Sequence, residues 1–459
     1  MLGIALPLIL STSSMTVMHF IDRMFLAWYS ADSLAAVMPA GATSFIFVAF
    51  FMGTAGYAST FVSQYDGAGR PRRIGVAVWQ AVYFALIGAV CMALLSTLAG
   101  PIFRLAGHAP AVQEQEIHYF RVVAAGGGGP VLNAALSSFF SGRGRTWTVM
   151  WVNFAGTALN LVLDYCWIFG KCGFPEWGIW GAAAATVVAT WAEAGVYSVL
   201  ILLPRHRAAY ATGTGWRFDR ELFGRLLWFG VPSGLQFMLD VFAFTVFVLL
   251  VGRIGTAELA ANTVAFTVNS LVFLPMIGLS IATSVLVGRY LGANAPDLAA
   301  RSTATSLRIT LLYMGGFSIA LVVWPDFFIG AFGARSETQD FEAIARIGRS
   351  LLYFVAGYSL VDGVNITYSA ALKGAGDTRY VLYMLAVMAF VGLIVPVYVA
   401  CVWLGAGIHT AWVFLTLYVF ALASAYGWRY HAGYWRSMRV IEHAPAPAAT
   451  FSEGPVVEA

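Results

Sequence analysis

Charge is what this chain lacks. Of its 459 residues only 10% are Asp, Glu, Lys or Arg, while 60% are hydrophobic and the mean hydropathy is +0.77. A soluble domain is roughly a quarter charged, and a supply this sparse cannot cover the water-facing surface of several folded domains. The net charge of +4 is spread over separated loops and offers no patch for nucleic acid. Cysteine is scarce too: Cys91, Cys166, Cys172 and Cys401 form neither a CxxC pair nor a Cys/His ligand cluster. Cys91, Cys166 and Cys401 fall in apolar stretches, where buried structural thiols are expected. No basic leader or small-residue cleavage site precedes the first apolar run, which begins almost at Met1 and is expected to be a span.

What the chain has in quantity is long apolar runs. They cover 2–29, 34–63, 74–99, 117–140, 147–170, 178–203, 226–252, 258–288, 303–330, 346–371, 380–404 and 407–434, each near the ~20 residues a helical span needs. Alternate loops hold Arg70, Arg72 and Arg73; Arg143 and Arg145; Arg205 to Arg225; Arg289 and Arg301; and Lys373 and Arg379, with Arg436 and Arg439 in the tail. The opposite loops carry acidic residues such as Asp32, Glu114, Glu116, Glu176, Glu258 and Asp326, with only Arg104, Lys171, Arg253 and Arg335 scattered among them. The positive-inside rule then puts both termini in the cytoplasm of a multi-pass inner-membrane protein. The expected fold is all-α integral membrane, with about twelve transmembrane helices.

The chain also repeats itself. Pro232 follows Pro7 by 225 residues, as Leu259-Ala260-Ala261 follows Leu34-Ala35-Ala36, Gly278 follows Gly53, and YLGANA at 290 follows YDGAGR at 65. SGRGRT at 141 returns as LKGAGDT at 372, with Gly374 lying 232 residues after Gly142. Two pseudo-symmetric six-helix lobes account for this: residues 1–205 and 226–435, joined by a basic cytoplasmic linker, 206–225. The Ala- and Pro-rich residues 436–459 read as a disordered cytoplasmic tail. Six spans per lobe give both lobes one orientation, and parallel repeats of this kind place a substrate site between them near the midplane.

A carboxylate inside lipid costs at least ~2.5–3.5 kcal/mol on insertion scales, so an intramembrane acid points to function. Asp22, Asp164, Asp240 and Asp362 stand out, and none has an acidic counterpart in the other lobe. Helical spacing gives each a polar companion: Asn160 precedes Asp164, Gln236 precedes Asp240 and Tyr358 precedes Asp362 by four residues, while Asn365 follows Asp362 by three. Such oxygen-rich pairs suit a hard cation such as Na⁺; equally, the amide or phenol suits a carboxyl that carries a proton. Gln236 and Asn365 are in addition candidates for substrate contact. Asp22, beside Arg23, and Asp164 also admit the plainer reading of helix-end charges reaching the interface. Pro7 shares a helix with Asp22 and is a candidate hinge, or a static kink. Phe, Trp, Tyr and Met abound in the spans; most are expected to face lipid or pack between helices, and any that line the cleft would suit flat, cationic ligands.

The segments FIDRMFLAWYSADSLAAV, SSFFSGRGRTWTVMWVNFAGTALNLVLDYCWIFG, GIWGAAAAT, LAANTVAFTVNSLVFLPMIGLSIATSVLVGRYLGA and VDGVNITYSAALKGAGDTR resemble the multidrug and toxic compound extrusion (MATE) family. The resemblance spans nearly the whole chain, apart from the linker and tail. It implies two lobes around a central cavity, driven by H⁺ or Na⁺ moving inward, with no cofactor. It marks Asp22, Asn160 and Asp164, with the Thr186 hydroxyl, as an amino-lobe cation site, Pro7 as the residue that bends helix one, and Tyr358 and Asp362 as a carboxy-lobe site. Asp240 stands where some members carry Glu, a departure that leaves the carboxy-lobe ligands open. The function so implied is antiport of small organic compounds by a monomer in the lipid bilayer. A lipid-linked precursor flippase would call for a cationic cavity, and a polyprenyl-phosphate enzyme for clustered Asp, Arg or Lys or metal-ligand motifs.

Overall fold

The computed structural model describes residues 1–106, 109–333 and 340–442, so Arg335 and the tail from 443 onward lie outside the described residues. The first lobe runs through α1 (Leu2–Tyr29), α2 (Ala31–Gly56), α3 (Ala58–Gly67), α4 (Pro71–Ser96), the short α5 (Ala99–Ala106), α6 (Pro110–Ala125), α7 (Gly128–Ser141), α8 (Thr146–Ile168) and α9 (Ile179–Ile201). Here α2 with α3, and α6 with α7, are single spans interrupted at Tyr57 and at Gly126–Gly127. After the short α10 (Pro204–Tyr210), the second lobe comprises α11 (Arg220–Val251), α12 (Thr256–Gly292), α13 (Pro296–Val323), α14 (Pro325–Gly333), α15 (Asp340–Ala375), α16 (Thr378–Val387), α17 (Val395–Val397) and α18 (Ile408–His431). π-helical turns on both sides of α17 carry the eleventh span past Pro396. Proline has no amide hydrogen, and the wider turn absorbs the missing bond.

Twelve spans result, as the run lengths predict. Among the described residues ten helices are long and apolar enough to cross a membrane by length and composition alone. Those that fall short are α8 and α15, and they are the helices that carry Asn160 with Asp164 and Asp362 with Asn365. Large apolar side chains such as Trp28, Leu94, Trp151, Leu312 and Phe327 lie on the outside, where lipid would cover them. Local signals set the starts: Pro occupies the first turn of α4, α6, α10 and α13, and Asp219 caps α11 by accepting from the Leu222 amide at 3.0 Å.

The sequence repeat is visible as paired contacts. A Cβ on Gly53 would stand 2.8 Å from Gly234 Cα, and one on Gly278 2.6 Å from Ile9 N; a shift of 225 carries Gly53 to Gly278 and Ile9 to Gly234. A Cβ on Gly67 would overlap the Arg289 carbonyl, and one on Gly292 the Gln64 carbonyl, again related by 225. Within each lobe, Gly142 and Gly374 press on the carbonyls of Ser59 and Ser284, a pair that repeats likewise. The lobes are thus related by a pseudo-twofold, and glycine allows the backbones to touch along it. Side-chain bonds between the lobes gather at the end bearing the Arg-rich loops, called here the basic end. Tyr57 Oη donates to the Lys373 carbonyl (2.8 Å), Gln64 Nε2 to the Gly374 carbonyl (3.1 Å), and Arg289 pairs with Asp66 (3.2 Å).

Several expectations need correction. The linker is not plain loop: it contains most of α10 and the first turn of α11, and Asp219 pairs with Arg73 at 3.0 Å. Glu114 and Glu116 lie in α6 rather than in a loop, and Glu116 is buried. Lys373 belongs to the last turn of α15. Cys91 is exposed on the outer surface, whereas Cys166 and Cys401 are buried. The first residues assigned to a disordered tail are ordered. A 3-10 turn at Tyr434–Ser437 leads into a strap that reaches Glu442 and crosses to the first lobe.

Candidate functional site: the intramembrane carboxylates

Asp22 is the twenty-first residue of α1 and Asp164 the nineteenth of α8, and both helices start at the basic end. Their side chains therefore reach the same depth, past the middle of the spans. Both are buried, Asp164 completely, so each is held between helices rather than exposed on the outer surface. Asn160, one turn before Asp164 and also fully buried, lies between them. With its amide nitrogen toward the carboxylates, Asn160 donates to Asp22 Oδ1 (3.1 Å) and Asp164 Oδ2 (3.2 Å), and its oxygen accepts from the Thr186 amide of α9 (3.3 Å). Thr186 enters the cluster through its backbone; its hydroxyl donates to the Ala182 carbonyl at 3.1 Å. Asp164 Oδ1 is buried with no hydrogen-bond partner. His19 Nδ1 lies 3.8 Å from Asp22 Oδ2, a neighbour that i,i+3 spacing could have flagged. Pro7 is buried in α1 but fifteen residues from Asp22, about 22 Å along the helix.

The second lobe holds two separate amide–carboxylate pairs. Gln236 Nε2 donates to Asp240 Oδ2 (3.4 Å) and Asn365 Nδ2 to Asp362 Oδ1 (3.0 Å). Asp240 is within electrostatic reach of Asp362 and of Lys373, which the loop assignment had removed from consideration. Tyr358 is buried against Trp412, ring centroids 6.3 Å apart, and Trp412 in turn donates to Asn262 (3.0 Å). Four of the seven coupling candidates thus meet in one lobe, while Asp240, Tyr358 and Asp362 line the other with Gln236 and Asn365. Among the described residues no three His, Cys, Asp or Glu side chains converge as a metal centre would require.

A mid-span acid also escaped the sequence reading. Glu193 of α9 sits in the middle of a span and accepts from Asn133 Nδ2 of α7 at 2.8 Å. The rule that singled out the four aspartates applies to it equally.

A family model described as MatE matches residues 7–166 and 232–399. Among curated proteins, the probable multidrug resistance protein NorM of Xanthomonas axonopodis pv. citri is 28% identical over 86% of this chain and 85% of its own length. The protein of the same description from Xylella fastidiosa is 28% identical over 93% and 90%. Among solved structures, a MOP superfamily transporter from Pyrococcus furiosus superposes with a TM-score of 0.84 at 19% identity, covering 94% of each chain. A eukaryotic MATE transporter superposes with a TM-score of 0.82 at 20% identity, covering 95% of each.

Proposed function

The chain belongs to the MatE family, and from that premise we propose that it is a secondary active efflux transporter exchanging H⁺ or Na⁺ for small organic compounds, many of them cationic. The observation that carries the proposal is the buried Asp22–Asn160–Asp164 cluster. Two carboxylates sharing one amide repel each other, and a proton or a monovalent cation between them relieves the repulsion. Asn160 serves both cases. With its nitrogen inward it bridges the carboxylates; turned over, it presents Oδ1 beside them, giving three oxygens for a cation. The naming of the NorM relatives supports multidrug cargo. Acids outnumbering bases among the intramembrane side chains suits positively charged or neutral cargo.

The Arg-rich end faces the cytoplasm under the positive-inside rule. The bonds that join the lobes at that end support reading this as the state closed to the cytoplasm. Alternating access then consists of parting the glycine contacts there while the lobes close on the other side. Cation uptake at Asp22 and Asp164 biases that exchange through α1, which carries both Asp22 and the Ile9 contact to Gly278.

The test is efflux of a fluorescent organic cation from proteoliposomes under a proton gradient or a Na⁺ gradient, applied separately. One ion should drive transport in the parent and fail in Asp22→Asn and Asp164→Asn. Loss confined to Asp362→Asn would move coupling to the second lobe. Transport indifferent to both gradients and to all three substitutions would overturn the antiport reading, and lipid flipping would be assayed in its place.

A further inference from the structure

Three helices of the first lobe each carry a row of polar residues. On α9 these are Thr186, Thr190, Glu193 and Tyr197; on α8, Asn153, Thr157, Asn160 and Asp164; on α1, Ser11, Ser14 and Asp22. The α8 and α9 sets step by four, three and four, and on α1 Ser11 and Ser14 are three apart with Asp22 eight further on, eleven residues from Ser11 and so close to the same face. At one end of this seam is the Asp22–Asn160–Asp164 cluster. Toward the basic end it continues through Tyr197 Oη, which donates to Asn153 Oδ1 (2.8 Å), and Asn153 Nδ2, which donates to Ser11 Oγ (2.7 Å). Glu193 stands between the two.

The surroundings of Glu193 are built for a carboxyl but not for a metal ion or a salt bridge. Gly156 of α8 makes room for it, since a Cβ there would overlap Oε1. Asn133 of α7 gives it one amide donor at 2.8 Å and is itself anchored on the Thr190 carbonyl at 3.0 Å. The other atom of that amide, Asn133 Oδ1, is buried with no partner. It would accept the hydrogen of a protonated Glu193 after an amide rotation. From its own helix the titratable group facing Glu193 is Tyr197, already bonded to Asn153. From α8 and α7 come Gly156 and Asn133. α6 meets α9 nearer the other end, where His118 lies against Trp180. Among the described residues no Lys, Arg or His forms an ion pair with Glu193. A Na⁺ ion would need several oxygens, and the Asn133 amide turns its nitrogen to this site; a proton needs only the carboxyl.

The geometry points to Glu193 as a second proton-binding site of the first lobe, exchanging its proton with the basic end by way of the Tyr197–Asn153–Ser11 seam. The inference rests on the antiport reading and specifies its ion as H⁺. Ser11 is two residues from Ile9, which packs on Gly278 of the second lobe. When the lobes part at the basic end, that contact opens and the seam meets water. Glu193 can then release inward the proton that charges the Asp22–Asp164 pair in the other state. Thr186 and Glu193 lie seven residues apart, about 10 Å along α9, a gap midway along which the Thr190 hydroxyl stands.

Infrared difference spectra between acid and alkaline samples would test this directly, on the parent, Glu193→Gln and Glu193→Asp in lipid. The parent should show a protonated-carboxyl band across the neutral range that Glu193→Gln lacks and Glu193→Asp retains at a displaced midpoint. In proteoliposomes Glu193→Gln should keep substrate–substrate exchange, which moves no net ion. It should lose roughly tenfold or more of proton-driven efflux, equivalent to at least one pKa unit of lost proton affinity. Parent and Glu193→Gln spectra that coincide would overturn the inference while leaving antiport standing. So would full proton-driven efflux in Glu193→Gln. A parent that responds to no gradient would instead sink the functional reading.

Discussion

At the scale of single residues, Asn160 stands at the centre of the first lobe's candidate site. Its amide touches both carboxylates and the α9 backbone, so Asn160→Ala would leave two buried acids without their shared donor. Leaving a buried polar group unsatisfied costs ~1–3 kcal/mol, equivalent to roughly 5- to 150-fold in the affected equilibrium. We expect Asn160→Ala to lower ion-driven efflux by about that factor while the protein still elutes as a monodisperse species, and a gradient-driven transport assay beside size-exclusion chromatography checks it. The acids of the candidate site were legible as buried neighbours because an ionisable residue in an apolar run is conspicuous and helical spacing names its companions. What spacing could not tell is which atom of a residue points inward. Thr186 was expected to offer a hydroxyl and offers its amide, because its Oγ1 is taken by the Ala182 carbonyl one turn back. Lys373 was lost to a loop because an apolar-run boundary stopped short of the last turn of α15.

At the scale of elements, glycine decides how close the helices come. Gly67 at the end of α3 and Gly292 at the end of α12 each admit the other lobe's carbonyl, Arg289 and Gln64 respectively. An added methyl at either place must separate the two helices. Overpacking of this kind costs ~1–3 kcal/mol, and under the proposed alternating access it falls on the closed state alone. Gly67→Ala and Gly292→Ala should therefore raise the population open at the basic end by roughly 5- to 150-fold, while Gly195→Ala, with nothing within 4 Å, should leave it unchanged. Distances between spin labels on the loops at 69 and 294 would report the shift. Unchanged distances in Gly67→Ala would mean that these contacts do not hold the gate. The helices themselves were legible from the lengths of apolar runs, and Pro and Asp219 mark several of their starts. The breaks at Tyr57 and Gly126–Gly127 were not, because a span stays apolar through an interruption of its helix.

At the scale of the whole molecule, the pseudo-twofold was legible as a constant offset, but the strap that breaks it was not. Residues 434–442 leave α18, cross the basic end and bind the first lobe. The Val440 amide donates to Gln64 Oε1 (2.9 Å), Tyr65 Oη to Glu442 Oε2 (2.6 Å), and Arg70 and Arg73 pair with Glu442 at 3.5 and 3.2 Å. From the second lobe Arg225 donates to the Val440 carbonyl (3.1 Å), and Asn294 Oδ1 accepts from Arg439 of the strap (2.9 Å). Composition hid this, because the Ala- and Pro-rich stretch begins just beyond Glu442 and made the whole terminus read as tail. A segment bonded to both lobes resists their separation at this end. Partial burial would raise the Glu442 pKa, but the Tyr65 hydroxyl and the Arg73 and Arg70 charges outweigh it and hold it below the ordinary value of 4.5. A carboxylate with a depressed pKa contributes its full share above the undocked value and loses it as pH falls through the docked one. The strap should therefore hold unchanged from neutral pH down to about 5 and loosen only in stronger acid. Glu442→Gln should release it at every pH. Exposed ion pairs contribute ~0–1 kcal/mol each, so the release should raise amide exchange in 438–442 and the open population by roughly three- to tenfold. Hydrogen exchange across a pH series, corrected for the intrinsic rate, checks both parts. A strap whose protection fades already between pH 7 and 5 would show that some group other than Glu442 holds it.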